Sequence, residues 1–216
     1  MPFSHTSSIP ARIYVAINKP PPPKRDTSTP TPAGPFYWPV DLSRVRIGPR
    51  FMGHAALGTY RSGYGYHTGI DFLGPLGLKV VAMADGVVVS STPPASASGY
   101  GHNVVIYHAQ LGLYTRSSHL YARDVKEGQR VTAGQQIGRM GTSGTDNVHL
   151  HFDVIKLALP NPRFNPHNPA TGGVARPLAG LDPVEDALTR KYFSDPLAFL
   201  NGRSALNPTT QKVVHA

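Results

Sequence analysis

From residue 36 onward, apolar side chains recur in short runs, several with period two. Arg44 to Phe51, Ile70 to Phe72, Lys79 to Ala82, Gly86 to Ser91, Asn103 to His108, Leu113 to Ser118 and Val148 to Ile155 are rich in Val, Ile, Leu, Tyr and Phe and are separated by turn-forming residues. That pattern predicts strands. Asp85-Gly86 is a tight-turn signal between two of them. Many short strands in succession predict an all-β architecture, an antiparallel sheet or sandwich. In Asn147-Val148-His149-Leu150-His151-Phe152-Asp153-Val154 the alternation is clearest. Residues two apart on a strand share a face, so His149 and His151 project side by side, while Leu150, Phe152 and Val154 point the other way.

The pattern changes at both ends. Residues 1–35 read as an arm: Ile13, Val15 and Ile17 alternate briefly, then Lys19-Pro20-Pro21-Pro22-Pro23-Lys24-Arg25 and a Thr/Pro/Ser tract follow. Consecutive prolines favour a stiff polyproline II spacer, and the segment reads either as a disordered tail or as a tether to a larger assembly whose strand adds to a partner's sheet. Residues 36–156 form the strand-rich domain. Residues 157–216 complete it with a Pro/Asn/Gly-rich insertion followed by two short helices. The first opens at Asp182-Pro183-Val184-Glu185, which supplies a cap, a first-turn proline and an acid, and it runs to about Tyr192. The second starts at Asp195-Pro196 and ends at Asn201-Gly202. Thr92 to Gly99 reads as a loop.

Composition narrows the chemistry. Glycine and proline, 22 each in 216 residues, fit the turn-rich reading. Cysteine is absent, which removes disulfides and thiolate ligands and leaves His, Asp and Glu to hold any metal. The net charge of +9 divides into +3 on residues 1–35, +4 on 36–156 and +2 on the remainder. Spread charge of this kind suits an anionic partner, whether a cell wall, a membrane surface or nucleic acid, and does not choose among them. Nucleic acid is the weaker reading on another ground, because the basic residues are not interleaved with aromatics in a stripe. No apolar run is long enough for a transmembrane segment, and the first residues lack the apolar core of a secretory signal. If the protein acts outside a cell, the expectation is delivery by a route other than an ordinary signal peptide.

Tyr66-His67-Thr68-Gly69-Ile70-Asp71-Phe72 offers another histidine and a carboxylate. His67 and Asp71 together with one histidine of the later pair give two imidazoles and one carboxylate, the ligand set of many catalytic zinc sites with the fourth position left for water. Without thiolates, a closed structural zinc site is not expected.

The separated motifs resemble, in order, the M23 family of zinc metallopeptidases, of the lysostaphin/LytM type. They are His67-Thr68-Gly69-Ile70-Asp71; Val80-Val81-Ala82 with Ala84-Asp85-Gly86-Val87-Val88; Tyr100-Gly101-His102-Asn103; Ser118-His119-Leu120; Val125-Lys126-Glu127-Gly128; Ala133-Gly134-Gln135-Gln136-Ile137-Gly138; Gly141-Thr142-Ser143-Gly144; and His149-Leu150-His151-Phe152. The resemblance covers residues 48–156, and Asp195-Pro196-Leu197 is similar to the Asp-Pro that commonly closes the domain. It implies an antiparallel sheet with a central groove. It implies one Zn²⁺ ion held by His67, Asp71 and His151, with His119 and His149 catalytic beside the open position. A tyrosine donating to the oxyanion is sought among Tyr60, Tyr64 and Tyr66. The implied activity is hydrolysis of the peptide cross-links of bacterial peptidoglycan, and a phage virion, with residues 1–35 anchored in its tail or baseplate, is the expected carrier. Asp153 stands where the family often has Glu, and as a residue outside the ligand set it is expected to matter little.

Two other functions compete. Relatives that have lost ligands serve as wall-binding or amidase-activating modules, whereas this chain keeps all five residues. A muramidase needs two carboxylates across a cleft, but Glu127 sits in a turn motif and Glu185 in a helix cap. His5, His54, His102, His108, His167 and His215 match no ligand position and read as surface or satisfied structural residues, with His102 placed in the turn on the substrate side.

Overall fold

The computed structural model describes residues 34–52, 66–92, 99–156 and 183–216. Residues 1–33 of the expected arm, most of the loop between Thr92 and Gly99, and the expected insertion to residue 182 lie outside these residues, as do Tyr60 and Tyr64.

Among the described residues, eleven strands make two antiparallel sheets. The larger sheet runs β1 (Arg46–Ile47), β2 (Ile70–Leu73), β10 (His149–Lys156), β6 (Leu113–Ser118), β5 (Asn103–His108), β4 (Gly86–Thr92) and β8 (Arg130–Val131). β11 (Phe193–Ser194) pairs with the far end of β10, so β2 and β11 bond to different stretches of it. The smaller sheet runs β3 (Lys79–Val81), β9 (Gln136–Met140) and β7 (Leu120–Arg123).

β10 lies inside the larger sheet, between β2 and β6, and its alternation decides what lies on each face. Leu150 opposes Phe72 and Phe152 opposes Ile70 across the β2 pairing. These side chains share one core with Trp38, Val88, Val104 and Ile106, and with Val80, Ile137 and Met140 of the smaller sheet. The two sheets thus bury a common apolar layer, as expected of facing amphipathic sheets. On the other face His151 opposes Asp71 of β2 and Ser118 of β6, while Asp153 opposes Arg116. One-residue slippage would exchange the two faces.

Several expected strands differ in extent. Arg44 to Phe51 shrinks to the two residues of β1, because Asp41 caps a 3-10 turn over Leu42–Arg44 and Gly48-Pro49 follow the strand. β7, β8, β9 and β11 are additions; β9 carries Gly138 and Arg139, which break the apolar pattern that marks a strand. Asp85-Gly86 is not a hairpin turn: β3 and β4 belong to different sheets, and the segment crosses between them. Gly86 is needed for a close approach, since a Cβ there would lie 2.5 Å from Ile106 Cγ2 and 2.6 Å from the Tyr107 carbonyl.

The C-terminal helices form where expected, as α1 (Pro183–Tyr192) and α2 (Pro196–Asn201). Asp195 accepts hydrogen bonds from the Leu197 and Ala198 amides, which satisfies donors that the helix start leaves open. Beyond α2 the chain returns to its strand-rich start. Leu206 bridges Tyr37 in parallel, and the Trp38 indole donates to the Val214 carbonyl at 3.0 Å.

Candidate metal centre

Register brings the predicted residues together. His151 and Asp71 are direct cross-strand partners on β10 and β2. His67 lies just before β2 and reaches back over the same face. The three ligand atoms converge tightly: His67 Nε2 to His151 Nδ1 is 2.9 Å, His67 Nε2 to Asp71 Oδ1 is 3.0 Å, and His151 Nδ1 to Asp71 Oδ1 is 3.0 Å.

The outer nitrogens explain why the inner ones can coordinate. His67 Nδ1 donates to the Arg50 carbonyl at 3.2 Å, and His151 Nε2 donates to Asp153 Oδ1 at 2.9 Å. Neutral imidazoles held that way turn their lone pairs inward. Two lone pairs and a carboxylate oxygen then face one point, which a metal cation can occupy in place of a proton shared between His151 Nδ1 and Asp71. A tetrahedral zinc ion with bonds of about 2.0–2.2 Å needs ligand atoms about 3.3 Å apart, a few tenths more than the distances found. The residues therefore fit the ion. Without a cation, Asp153 and Asp71 outweigh the effect of burial on His151 and raise its pKa to about 9. Asp71 stays far below the usual carboxylate range: burial opposes ionisation, but the facing His67 and His151 prevail.

His119 and His149 complete the cluster, their ring centroids 4.6 Å apart. His119 Nδ1 donates to the Ser143 carbonyl at 2.8 Å and His149 Nδ1 to the Asn147 carbonyl at 2.9 Å, leaving both Nε2 atoms as acceptors. Burial depresses both pKa values, that of His119 to about 3 with help from His149 and His151. His149 differs in lying 3.8 Å from Asp71 Oδ2, whose charge favours its protonated form. His119 has φ of 60°, a left-handed conformation unusual for a non-glycine residue, and occupies the single residue between β6 and β7. Such strain is found where a side chain must be aimed. Asp71, His119 and His149 keep 7–8% exposure, whereas His67 is at 0%. The side chains nearest solvent are therefore those around the open side of the ligand triangle.

The sequence reading missed what stands behind His151. Asp153 is fully buried and bridges His151 to Arg116, itself buried and stacked 3.5 Å over the Tyr100 ring. Among the described residues Tyr100 stands beside the cluster, its hydroxyl 3.1 Å from Thr68 Oγ1 and its ring centroid 5.3 Å from that of His151. The available signal was parity: residues 149, 151 and 153 share a face. Among the remaining histidines, His108 is a satisfied structural residue, bonded to the Asp85 carbonyl and to Thr115 Oγ1. His102 is half-buried, its backbone bonded to Ser143 and Leu120.

An all-β protein with a His-Asp-His cluster flanked by two further histidines has the layout of a sheet-borne metallopeptidase. The model of peptidase family M23 matches residues 65–166, and the chain carries a domain of that family. Among curated relatives, the murein hydrolase activator NlpD of Salmonella dublin is 32% identical over 59% of this chain and 30% of its own length. The DD-carboxypeptidase/endopeptidase Mpg of Neisseria meningitidis serogroup B is 35% identical over 58% of this chain and 30% of its own. The chain thus spans about a third of the length of these relatives. The fold is also that of the antimicrobial peptidase lysostaphin from Staphylococcus simulans, with a TM-score of 0.54 and 24% identity over 79% of this chain and 56% of that one.

Proposed function

We propose that this chain is a zinc-dependent endopeptidase that hydrolyses the peptide cross-links of bacterial peptidoglycan. The observation that carries the reading is the convergence of His67 Nε2, Asp71 Oδ1 and His151 Nδ1, with two acceptor imidazoles beside them. When bound, Zn²⁺ supplies Lewis acidity that makes water a nucleophile near neutral pH and polarises a carbonyl. The chain's own groups do the rest. His149 Nε2 takes the proton of the attacking water, because the nearby Asp71 carboxylate stabilises the imidazolium that results. The His149 imidazolium then returns that proton to the leaving amine, while His119 Nε2, kept neutral by burial, accepts a hydrogen bond beside the same space. The positive charge of +9 favours residence on an anionic wall.

The second reading is an activating or wall-binding module, and it is favoured by the name of the NlpD relative. The retention of all five residues favours the enzyme. Mass spectrometry of muropeptides released from purified walls tests this directly: wild type is expected to cut peptide links, and His149→Ala and His151→Ala are not. Zinc-free, inactive wild-type protein overturns the enzyme in favour of the module.

For delivery, we read residues 1–35 as a tether to a virion tail or baseplate, supported by four consecutive prolines between basic residues. Intact particles whose proteome lacks this chain overturn that part alone.

A further inference from the structure

We propose that Asp153 is a positioning residue for the metal centre, locked by Arg116 so that it fixes the ring of His151 with Nδ1 turned toward the ion. This inference rests on the zinc reading above. Asp153 Oδ1 receives His151 Nε2–H at 2.9 Å, and its other oxygen binds Arg116 through Nε at 2.7 Å and Nη2 at 2.6 Å. The carboxylate is 0% exposed and Arg116 1%. Burying two charges costs several kcal/mol per ion, and a buried pair is often no more stabilising than apolar packing. Fold stability therefore gives no reason for this pair; its place behind a metal ligand does. A carboxylate behind a ligating histidine fixes its tautomer and raises its basicity.

The surroundings fit that role. The Arg116 guanidinium carbon lies 3.5 Å over the Tyr100 ring while its Nε and Nη2 reach Asp153. Thr68 Oγ1 sits 3.2 Å from His151 Nε2, a further contact on the outer side of the ring. Gly69 makes room, since a Cβ there would stand 2.2 Å from the Phe152 carbonyl and 2.8 Å from Asp153 Oδ1. The glycine between His67 and Asp71 thus serves the carboxylate behind the third ligand. The expectation that this position matters little is replaced by a defined task.

The test measures zinc affinity by competition with a chromophoric chelator, together with the Co²⁺ absorption spectrum and the melting temperature of the metal-free protein. Asp153→Asn keeps the shape but strands the Arg116 charge, so a second variant, Asp153→Asn with Arg116→Met, removes both charges together. The expected result for each is zinc affinity weaker by about 10–100-fold and an altered Co²⁺ spectrum, with a cooperative metal-free fold. Wild-type affinity in the paired variant overturns the proposal, as does failure of both variants to fold, which makes the pair a folding element. His151→Ala separates this from the underlying reading. If it binds zinc as wild type does, the metal site itself is misassigned; if it loses zinc while Asp153→Asn keeps it, only the positioning role falls.

Discussion

His149 and His151 stand two residues apart on one strand, and the proposed function gives them different tasks according to what holds their outer nitrogens. His151 is braced by a carboxylate and turns Nδ1 to Asp71 and His67, whereas His149 is braced by a backbone carbonyl and turns Nε2 to the open side. His151→Ala is expected to lose the metal, measured by elemental analysis of purified protein. His149→Ala is expected to keep stoichiometric metal and lose about 10²–10⁴ in turnover; equal metal loss in both would refute the division. His108 carries a different prediction. Burial depresses its pKa from 6.5 to about 4. Between those values the unfolded chain binds a proton that the folded chain refuses, so stability rises with pH there. The contribution is complete above about pH 6.5, declines as pH falls and levels off below about 4, and its full size is at most about 3 kcal/mol. Melting temperatures of chelator-treated protein from pH 4 to 7 are expected to fall less steeply for His108→Gln than for wild type. His119, depressed by the same burial, retains part of the slope.

At the scale of elements, the face opposite the core works as one unit because β10 is paired on both sides along nearly its whole length. That unit was legible where the determinant is local. Period two placed His149 and His151 together, and the Asp195-Pro196 dipeptide marked the start of α2, because a cap is made within three residues. Legibility failed where a partner is remote. Arg116 lies 37 positions from Asp153, and nothing near either residue announces the other. β7 and β9 were missed for a related reason: Gly138 lets the Ala122 carbonyl approach to 2.6 Å of where a Cβ would stand, a requirement visible only after the strands pair. Gly86 was noticed for the wrong cause, as a turn residue when it is a contact residue. Gly86→Ala is therefore expected to destabilise by about 1–3 kcal/mol, the cost of overpacking, measured by urea denaturation. Asp195→Ala is expected to cost about 1 kcal/mol through the lost cap. A neutral Gly86→Ala would mean that β4 and β5 can move apart without penalty.

For the whole molecule, the last residues belong to the same cooperative unit as the first described ones, although the candidate metal site occupies the other side of the sheet. Trp38 is the only tryptophan in the chain and is 0% exposed. It packs edge-on against Phe72, whose strand also carries Asp71, and its indole N–H is satisfied by Val214. Asn207 donates to Asp41 Oδ1, which helps hold that carboxylate at a pKa of about 2 against its burial, with Ser43 and Thr209 assisting. Tyr37 hydroxyl donates to Gln211. Removing residues 207–216 breaks all of these at once, leaves the indole without its acceptor, and takes a neutral donor from an ionised carboxylate. Hydrogen bonds to charged groups are worth about 1.5–3 kcal/mol, so a loss of at least about 2 kcal/mol is expected. Trp38 emission should shift to the red while zinc stoichiometry at low temperature is preserved, because the ligands stand on the opposite face of β2 and β10. Unchanged emission and stability would make the C-terminal segment an appendage; zinc lost together with the emission shift would mean that the core and the metal face cannot be uncoupled.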